Sequence, residues 1–193
     1  MEQIRSFVAV ELPDELKLEL SKLQAQLKSG GGFGVKWVDP YSIHLTLKFL
    51  GNVAQDKIEA VTKALEEAGR GVAPFHLKLR DLGVFPNARR VQVVWVGVSG
   101  ETDKLLELQK RIDSNLALLG FTPESRPFAP HLTLARVRGQ IPLDESQKFG
   151  ELVTSTKFEA TGDIEVEAIS LMRSQLTPQG AIYTKISSVK LLS

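Results

Sequence analysis

The tetrad His44-Leu45-Thr46-Leu47 occurs a second time, as His131-Leu132-Thr133-Leu134, in the other half of the 193-residue chain. The two copies contain two of the chain's three histidines. Side chains two residues apart lie on the same face of a strand, so each tetrad predicts a histidine and a threonine on one face and two leucines on the other. One copy would indicate only an ordinary alternating strand, whereas two copies in matching places indicate a shared function.

The segments around the tetrads repeat in the same order in both halves. Hydrophobic periodicity predicts a strand, a helix, the tetrad strand, a second helix and a third strand in each half, followed by two further strands. The predicted strands cover residues 4–11, 42–50, 74–82, 91–98, 130–138, 157–168, 169–174 and 181–189, and the predicted helices lie between Pro13 and Ser29 and over 58–68, 105–119 and 144–152. This order favours an α+β fold with one sheet per lobe and helices on its outer face.

Composition excludes several classes of protein. Hydrophobic residues make up 42% and charged residues 24%, which is typical of a globular domain with a sizeable core. The net charge of +1 argues against a protein that coats long nucleic acid by charge alone. The absence of cysteine excludes disulfides, cysteine–zinc sites, iron–sulfur clusters and thiol catalysis. No apolar run is long enough to span a membrane, and without a signal-peptide pattern we expect a cytoplasmic protein.

If the two halves pack about a pseudo-two-fold axis, His44 and His131 face each other across a cleft. Two imidazoles in this arrangement suit in-line displacement at phosphorus. A neutral imidazole can take a proton from the attacking oxygen, and an imidazolium can give one to the leaving oxygen, because the ordinary pKa of histidine lies near neutrality. Thr46 and Thr133 can donate hydrogen bonds to the non-bridging phosphate oxygens, where negative charge builds up. This chemistry needs neither a metal nor another cofactor, and the sequence shows no clustered set of metal ligands.

The tetrads and their flanks resemble the two-histidine phosphoesterase superfamily, and within it the RNA 2′,3′-cyclic phosphodiesterase branch, also called the 2′-5′ RNA ligase family. The resemblance spans nearly the whole chain in family order, and the tetrads are its most specific part. Its residues are RSFVAV (5–10), HLTLKFLG (44–51), Phe85-Pro86, RPFAPHLTLAR (126–136), LMRS (171–174) and Tyr183.

The resemblance implies a bilobal, duplicated α+β fold with one antiparallel sheet per lobe and an active cleft between the lobes, formed by residues 1–193 as a single domain. It implies hydrolysis of a ribose 2′,3′-cyclic phosphate, at an RNA 3′ end or on a nucleotide, to a 2′-phosphomonoester. By this resemblance His44 is the proton donor to the leaving 3′-oxygen, and His131 is the proton acceptor that activates water. We expect a monomer without cofactor or metal.

Four further residues are candidates for substrate contacts. Arg126 lies in a proline-bounded loop before the second tetrad, and Arg136 follows Thr133 by three positions. On an ideal strand Arg136 points away from His131, so it reaches the substrate only if the strand twists or ends there. Lys48 shares the parity of His44 and is expected further along the cleft face, and Phe7 is expected to stack on a base.

The remaining expectations concern the core and the loops. The leucines of the first tetrad, together with Ile43 and Phe49, are expected to face the core. The glycine-rich run 30–34 is interpreted as a flexible connection at the cleft rim, because no Gly-Lys-Ser/Thr follows that would make it a phosphate-binding loop.

Other functions remain open at this point. An RNA-binding module would grip the cyclic end and protect it, so turnover would distinguish it from an enzyme. A 2′-5′ RNA ligase, or a 2′,5′-oligonucleotide phosphodiesterase, would be recognised by its products from cyclic-ended RNA with a free 5′-hydroxyl partner. A duplicated scaffold without catalysis is the third alternative.

Overall fold

A computed structural model of the protein describes residues 1–31 and 33–193. In this part of the chain, nine strands and four α-helices follow one another, with short 3₁₀ turns at Pro40–Ser42 and Gln55–Lys57. The elements are β1 (Gln3–Glu11), α1 (Asp14–Lys28), β2 (Val35–Trp37), β3 (His44–Ala54), α2 (Ile58–Gly69), β4 (Phe75–Asn87), β5 (Arg90–Gly100), α3 (Thr102–Ala117), β6 (His131–Val137), α4 (Leu143–Ser155), β7 (Glu159–Val166), β8 (Ala168–Thr177) and β9 (Gly180–Lys190).

The strands form two antiparallel sheets, which confirms the predicted bilobal α+β fold. One sheet has the strand order β3-β1-β8-β9, and the other has the order β2-β6-β5-β4-β7. Without the short strand β2, the second order repeats the first, with β6 in the place of β3 and β5 in the place of β1. The two tetrad strands, β3 and β6, therefore occupy equivalent positions in the two sheets. Each is paired with the first strand of its own half of the sequence.

The two halves of the sequence exchange strands, which the sequence pattern did not predict. Strand β4 belongs to the first half by its order in the chain, but it lies in the second sheet, between β5 and β7. A two-residue hairpin loop follows Asn87 and ends at Arg90, and such a short loop makes its two strands neighbours. The C-terminal strands β8 and β9 complete the first sheet in its place.

The helices form where the leucine spacing predicts them, and they bury one face. In α1, Pro13 precedes the helix, Asp14 and Glu15 lie in its first turn, and Leu16 and Leu20 belong to its buried stripe. Helices α2 and α3 pack on each other and on the first sheet, while α4 packs on β4 and β5 of the second sheet. The helices thus cover one face of each sheet and leave the other face for the tetrad histidines.

The remaining differences from the predicted elements are local. The sequence did not predict β2, which pairs with β6, and β3 continues to Ala54 although its predicted end was at Gly51. Within the glycine-rich run 30–34, Gly32 lies outside the described residues. No helix among the described residues is long and apolar enough to cross a membrane. The cytoplasmic location stays a prediction.

Candidate active site

Residues of both tetrads line one cavity of about 1000 Å³, and the wall of this cavity is formed by residues of both sheets. His44 and Thr46 enter its wall from β3, and His131 and Thr133 enter it from β6. All four side chains are half-buried, and the tetrad leucines behind them are buried in the core. The structure therefore brings the four residues of the tetrads into a shared space, as the sequence predicted.

The two tetrad strands carry the same irregularity directly after the threonine. In β3 the pairing with β1 skips Leu47, and in β6 the pairing with β5 skips Leu134. A skipped residue of this kind is a β-bulge, which reverses the face on which the following side chains lie. Residues 44–50 and 131–137 accordingly show the same sequence of half-buried, buried and exposed positions.

Each histidine ring is oriented by its own backbone. Nδ1 of His44 lies 2.7 Å from the backbone oxygen of Ser42, and Nδ1 of His131 lies 2.7 Å from that of Ala129. A carbonyl oxygen can only accept a hydrogen bond, so Nδ1 carries the proton in both rings. Nε2 is thereby the nitrogen left to accept or donate a proton, and it does so in the same tautomer on both sides of the cavity.

Aromatic side chains fix the rings further. The Phe7 ring stacks on His44 with 4.7 Å between ring centroids, and Tyr183 meets the same ring edge-on at 4.9 Å. On the other side, Phe85 meets His131 edge-on at 5.2 Å. Rings that are packed in this way lose little conformational freedom when a substrate binds, because their orientation is already set.

Burial lowers the pKa of the His44 imidazole below its ordinary value of 6.5. The hydrogen bond to Ser42 acts against this effect, the nearby Lys17 adds to it, and the nearby Glu11 opposes it. The neutral form of His44 is therefore favoured while the cavity holds no anion. A phosphate close to the ring would raise the pKa again, because an adjacent negative charge stabilises the imidazolium.

The model of the LigT-like phosphoesterase family matches this chain twice, over residues 10–95 and over residues 96–183. The chain belongs to the LigT-like phosphoesterase family. Each match contains one of the two tetrads, so the segment that the family model describes is present once in each half of the sequence.

Several relatives are similar to this chain over nearly its whole length. An RNA 2′,3′-cyclic phosphodiesterase of Methanothermobacter thermautotrophicus is 38% identical over 98% of this chain and 100% of the relative. A protein of the same name from Methanocaldococcus jannaschii is 35% identical over 95% of this chain and 98% of the relative. The crystal structure of E. coli LigT complexed with 3′-AMP superposes with a TM-score of 0.80, at 26% identity, and covers 100% of both chains.

In this LigT-like phosphoesterase, both candidate arginines lie where a substrate anion could meet them. Arg126 and Arg136 are exposed and line the cavity. The bulge at Leu134 explains the position of Arg136: it restores this residue to the face of Thr133, although simple alternation placed it on the opposite face. The structure thus settles the parity of Arg136, while its contact with substrate stays a prediction.

Two other candidates are placed differently from their predictions. Lys48 borders the cavity, but it is only 4% exposed, and its ammonium group donates to the Asp113 carboxylate and to the backbone oxygen of Thr122. An ammonium group that is paired in this way is not available to neutralise a phosphate, so Lys48 is removed from the candidate contacts. Phe7 is 3% exposed and its ring packs on His44. It therefore holds the histidine ring in place and is not available to stack on a base.

The prediction that Phe49 faces the core of this LigT-like phosphoesterase is wrong. The sequence placed it in the core with the tetrad leucines, but it is 69% exposed and lines the cavity. The bulge at Leu47 accounts for both Lys48 and Phe49, because it sends the first inward and the second outward. The alternation of polar and apolar residues continues through Lys48 and Phe49, so the local pattern of the sequence gave no signal of the bulge.

Within residues 1–31 and 33–193, no group of three or more His, Asp or Glu side chains is arranged to hold a metal ion. The groups that line the cavity include imidazoles, hydroxyls, guanidinium groups and aromatic rings, beside the Glu124 carboxylate and several aliphatic side chains. These groups offer hydrogen bonds, positive charge and two sites of proton transfer, which are the requirements of acid–base chemistry on a phosphodiester.

Proposed function

We propose that the protein hydrolyses the 2′,3′-cyclic phosphate of an RNA 3′ end or of a nucleotide to a 2′-phosphomonoester, without a metal or cofactor. The observation that carries the proposal is the shared cavity in which two imidazoles, one from each sheet, present their Nε2 atoms in the same tautomer. The names of the curated relatives and the 3′-AMP in the related LigT crystal support this substrate class.

The proposed reaction uses both histidines once in each turnover. Neutral His131 takes a proton from water at Nε2 while the water oxygen attacks phosphorus. The bond from phosphorus to O3′ breaks, and the imidazolium form of His44 gives its Nε2 proton to O3′. The product is a 2′-phosphomonoester with a free 3′-hydroxyl, and one proton must pass back from His131 to His44 through solvent before the next turnover.

The threonines and arginines are assigned to the charge on the phosphate. Thr46 and Thr133 donate hydrogen bonds to the two non-bridging oxygens, which gain negative charge as the water attacks. Arg136 adds a positive charge on the His131 side of the cavity, and Arg126 adds one at the loop that precedes His131. Hydrogen bonds that strengthen as charge develops lower the barrier more than they strengthen ground-state binding.

Burial lowers the pKa of His44 and so disfavours the imidazolium form that a proton donor needs, and a bound substrate acts against this effect. A cyclic phosphodiester carries one negative charge, which favours the imidazolium form of the ring beside it. In this proposal, substrate binding therefore prepares its own proton donor. Both sheets supply an essential histidine, so we propose that residues 1–193 act as one catalytic domain.

The product isomer tests the proposed function. The protein is incubated with adenosine 2′,3′-cyclic monophosphate in excess EDTA, and the product is identified by phosphorus NMR. The proposal predicts adenosine 2′-phosphate at an undiminished rate. The 3′-phosphate as product would reverse the leaving group, a strong loss of rate in EDTA would reveal a metal, and an intact cyclic phosphate would indicate a binding module.

A further inference from the structure

We propose that Gln24, a buried residue of α1, is a positioning residue for the active site, because its side-chain amide holds the bulge that turns Arg136 towards the cavity. This inference rests on the proposed function and adds to it a residue that lies outside the cleft. Gln24 does not line the cavity, so it acts on the substrate only through other residues.

The amide nitrogen of Gln24 donates hydrogen bonds to two separate segments of the chain. Nε2 lies 3.1 Å from the backbone oxygen of Leu134, the residue that the bulge in β6 leaves out of the pairing with β5. The same nitrogen lies 2.7 Å from the backbone oxygen of Val38, directly after β2. A side-chain amide has two N–H groups, so both are used. Because Gln24 is only 2% exposed, water cannot simply replace these hydrogen bonds when the amide is removed.

The other half of the chain contains the same contact. Gln109 of α3 is also buried, and its Nε2 lies 3.5 Å from the backbone oxygen of Leu47, the residue that the bulge in β3 leaves out of the pairing with β1. Each glutamine belongs to the first helix of one half and reaches the tetrad strand of the other half. A buried amide that recurs at both bulges indicates that the bulges are held in place by these side chains.

The bulge in β6 lies beside a short ladder that works against a repulsion. The outer neighbour of β6 is β2, which has only three residues, and in this ladder Lys36 is paired directly with Arg136. Two positive side chains at directly opposed positions of neighbouring strands repel each other. The backbone N–H of Val38 donates to the oxygen of Leu134 over 2.9 Å, so Gln24 closes the ladder at the end where the bulge begins. Gln24 thereby opposes the separation of β2 from β6.

The position of the bulge decides where the guanidinium group of Arg136 lies. Side chains alternate between the two faces of a strand, and a shift of the pairing by one residue exchanges the faces. If the bulge moves beyond Arg136, this residue returns to the face opposite to that of Thr133. The guanidinium group then no longer lies beside the phosphate that Thr133 is proposed to bind.

Gln24→Met tests the inference on adenosine 2′,3′-cyclic monophosphate, because methionine has nearly the same size but no N–H group. We expect kcat/KM to fall by roughly 10- to 100-fold, the order of effect that a shift of about 1 Å in a group beside the reacting atoms can have. Gln26→Met is the matched control, because it makes the same change at an exposed position of α1, and it should leave kcat/KM unchanged. No loss in Gln24→Met, or an equal loss in both variants, overturns the inference.

A double-mutant cycle separates positioning from a merely structural role. If Gln24 acts through Arg136, most of the effect of Gln24→Met on kcat/KM should disappear in the Arg136→Ala protein, since the group that Gln24 places is then already gone. Leu20→Ala removes a buried side chain from the same helix, so it should lower the urea midpoint and yet keep the kcat/KM of the folded protein. Equal losses from Gln24→Met with and without Arg136, or the same loss in Leu20→Ala, would overturn the inference.

Calorimetry with adenosine 2′-phosphate keeps the inference separate from the proposed function. We expect Gln24→Met to bind this anion more weakly than the wild-type protein does, and to cause little further loss of affinity in the Arg136→Ala protein. If the wild-type protein hydrolyses no cyclic phosphate, the proposed function fails, yet this pattern of affinities still supports the placement of Arg136 by Gln24. Equal affinity of Gln24→Met and the wild-type protein, or no binding by either, overturns the inference.

Discussion

His44 and His131 are held by the same hydrogen bond, in which Nδ1 of each ring donates over 2.7 Å to the backbone oxygen two residues earlier. The acceptors are Ser42 in one half and Ala129 in the other, and both lie just before a tetrad strand. A duplicated strand thus delivers two imidazoles with equivalent orientation to one cavity. The different roles proposed for the two rings, proton donor and proton acceptor, must therefore come from their surroundings, which differ.

The first prediction concerns the histidines themselves. His44→Ala and His131→Ala should each lower kcat by roughly 10²- to 10⁴-fold, since each removes one proton transfer from the reaction. Neither ring is part of the apolar core, so the thermal unfolding transition followed by circular dichroism should remain cooperative. His76→Ala is the control, because this exposed histidine lies outside the cavity. Retention of most of the activity in both tetrad variants would contradict the acid–base assignment.

The second prediction concerns pH. If His44 donates the proton, the rate falls as the pH rises through the pKa of His44. Burial lowers this pKa in the free protein, and the negative charge of the substrate raises it in the complex. The alkaline limb should therefore lie at lower pH in the profile of kcat/KM, which reports the free protein, than in the profile of kcat. Coincident alkaline limbs would contradict the proposal that substrate prepares its own proton donor.

A single lysine gives a sharper form of this test. The positive charge of Lys17 lowers the pKa of His44. Lys17→Met should therefore move the alkaline limb of kcat/KM to higher pH, whereas Lys22→Met, which removes a charge elsewhere on the same helix, should leave it in place. An equal response to both substitutions would show that only the net charge of the protein matters.

The third prediction concerns Arg136. A hydrogen bond to a charged group is worth about 1.5–3 kcal/mol, so Arg136→Ala should lower kcat/KM by roughly 10- to 150-fold. The loss should be larger than that in Arg138→Ala, which removes an exposed arginine two positions further along that does not line the cavity. Steady-state kinetics on the same cyclic nucleotide measures both, and equal effects of the two substitutions would remove Arg136 from the site.

The fourth prediction concerns the ion pair between Lys48 and Asp113. It joins β3 to α3, and Asp113 also accepts the backbone N–H of Glu124, in the loop that leads to Arg126. Lys48→Met leaves the Asp113 carboxylate without its charged partner and should lower the free energy of unfolding by about 3–5 kcal/mol. Urea unfolding measures the change.

The exposed ion pair of Lys63 with Glu59 provides the control for that experiment. Lys63→Met should leave the urea midpoint essentially unchanged, because water solvates the remaining charge. If Lys48→Met is as stable as Lys63→Met, then the ion pair of Lys48 with Asp113 does not stabilise the fold. Lys48 would then again be a candidate for contact with the substrate.

The sequence predicted those features that depend on local pattern. The alternation in each tetrad identified the strand and its polar face, and the leucine spacing of α1 identified a helix with one buried stripe. The duplication of the tetrad indicated two equivalent lobes. These features are local because a side chain's face follows from strand or helix geometry alone.

The features that were wrong or missing depend on contacts between distant segments. The bulges at Leu47 and Leu134 arise in the pairing with β1 and β5, and they decide which side of the sheet receives Lys48, Phe49 and Arg136. The partner of Lys48 is 65 positions away in the chain. Strand exchange between the halves likewise depends on which strands meet, and no local pattern expresses that choice.

The central claim is that two imidazoles act on one phosphorus atom, His44 on the leaving oxygen and His131 on the attacking water. The most direct measurement replaces O3′ of the cyclic nucleotide by sulfur, because a thiolate leaves without needing a proton. The account predicts that His44→Ala recovers most of its lost rate on this substrate while His131→Ala does not. Equal impairment of both variants on the sulfur substrate, or recovery of His131→Ala instead, would contradict it.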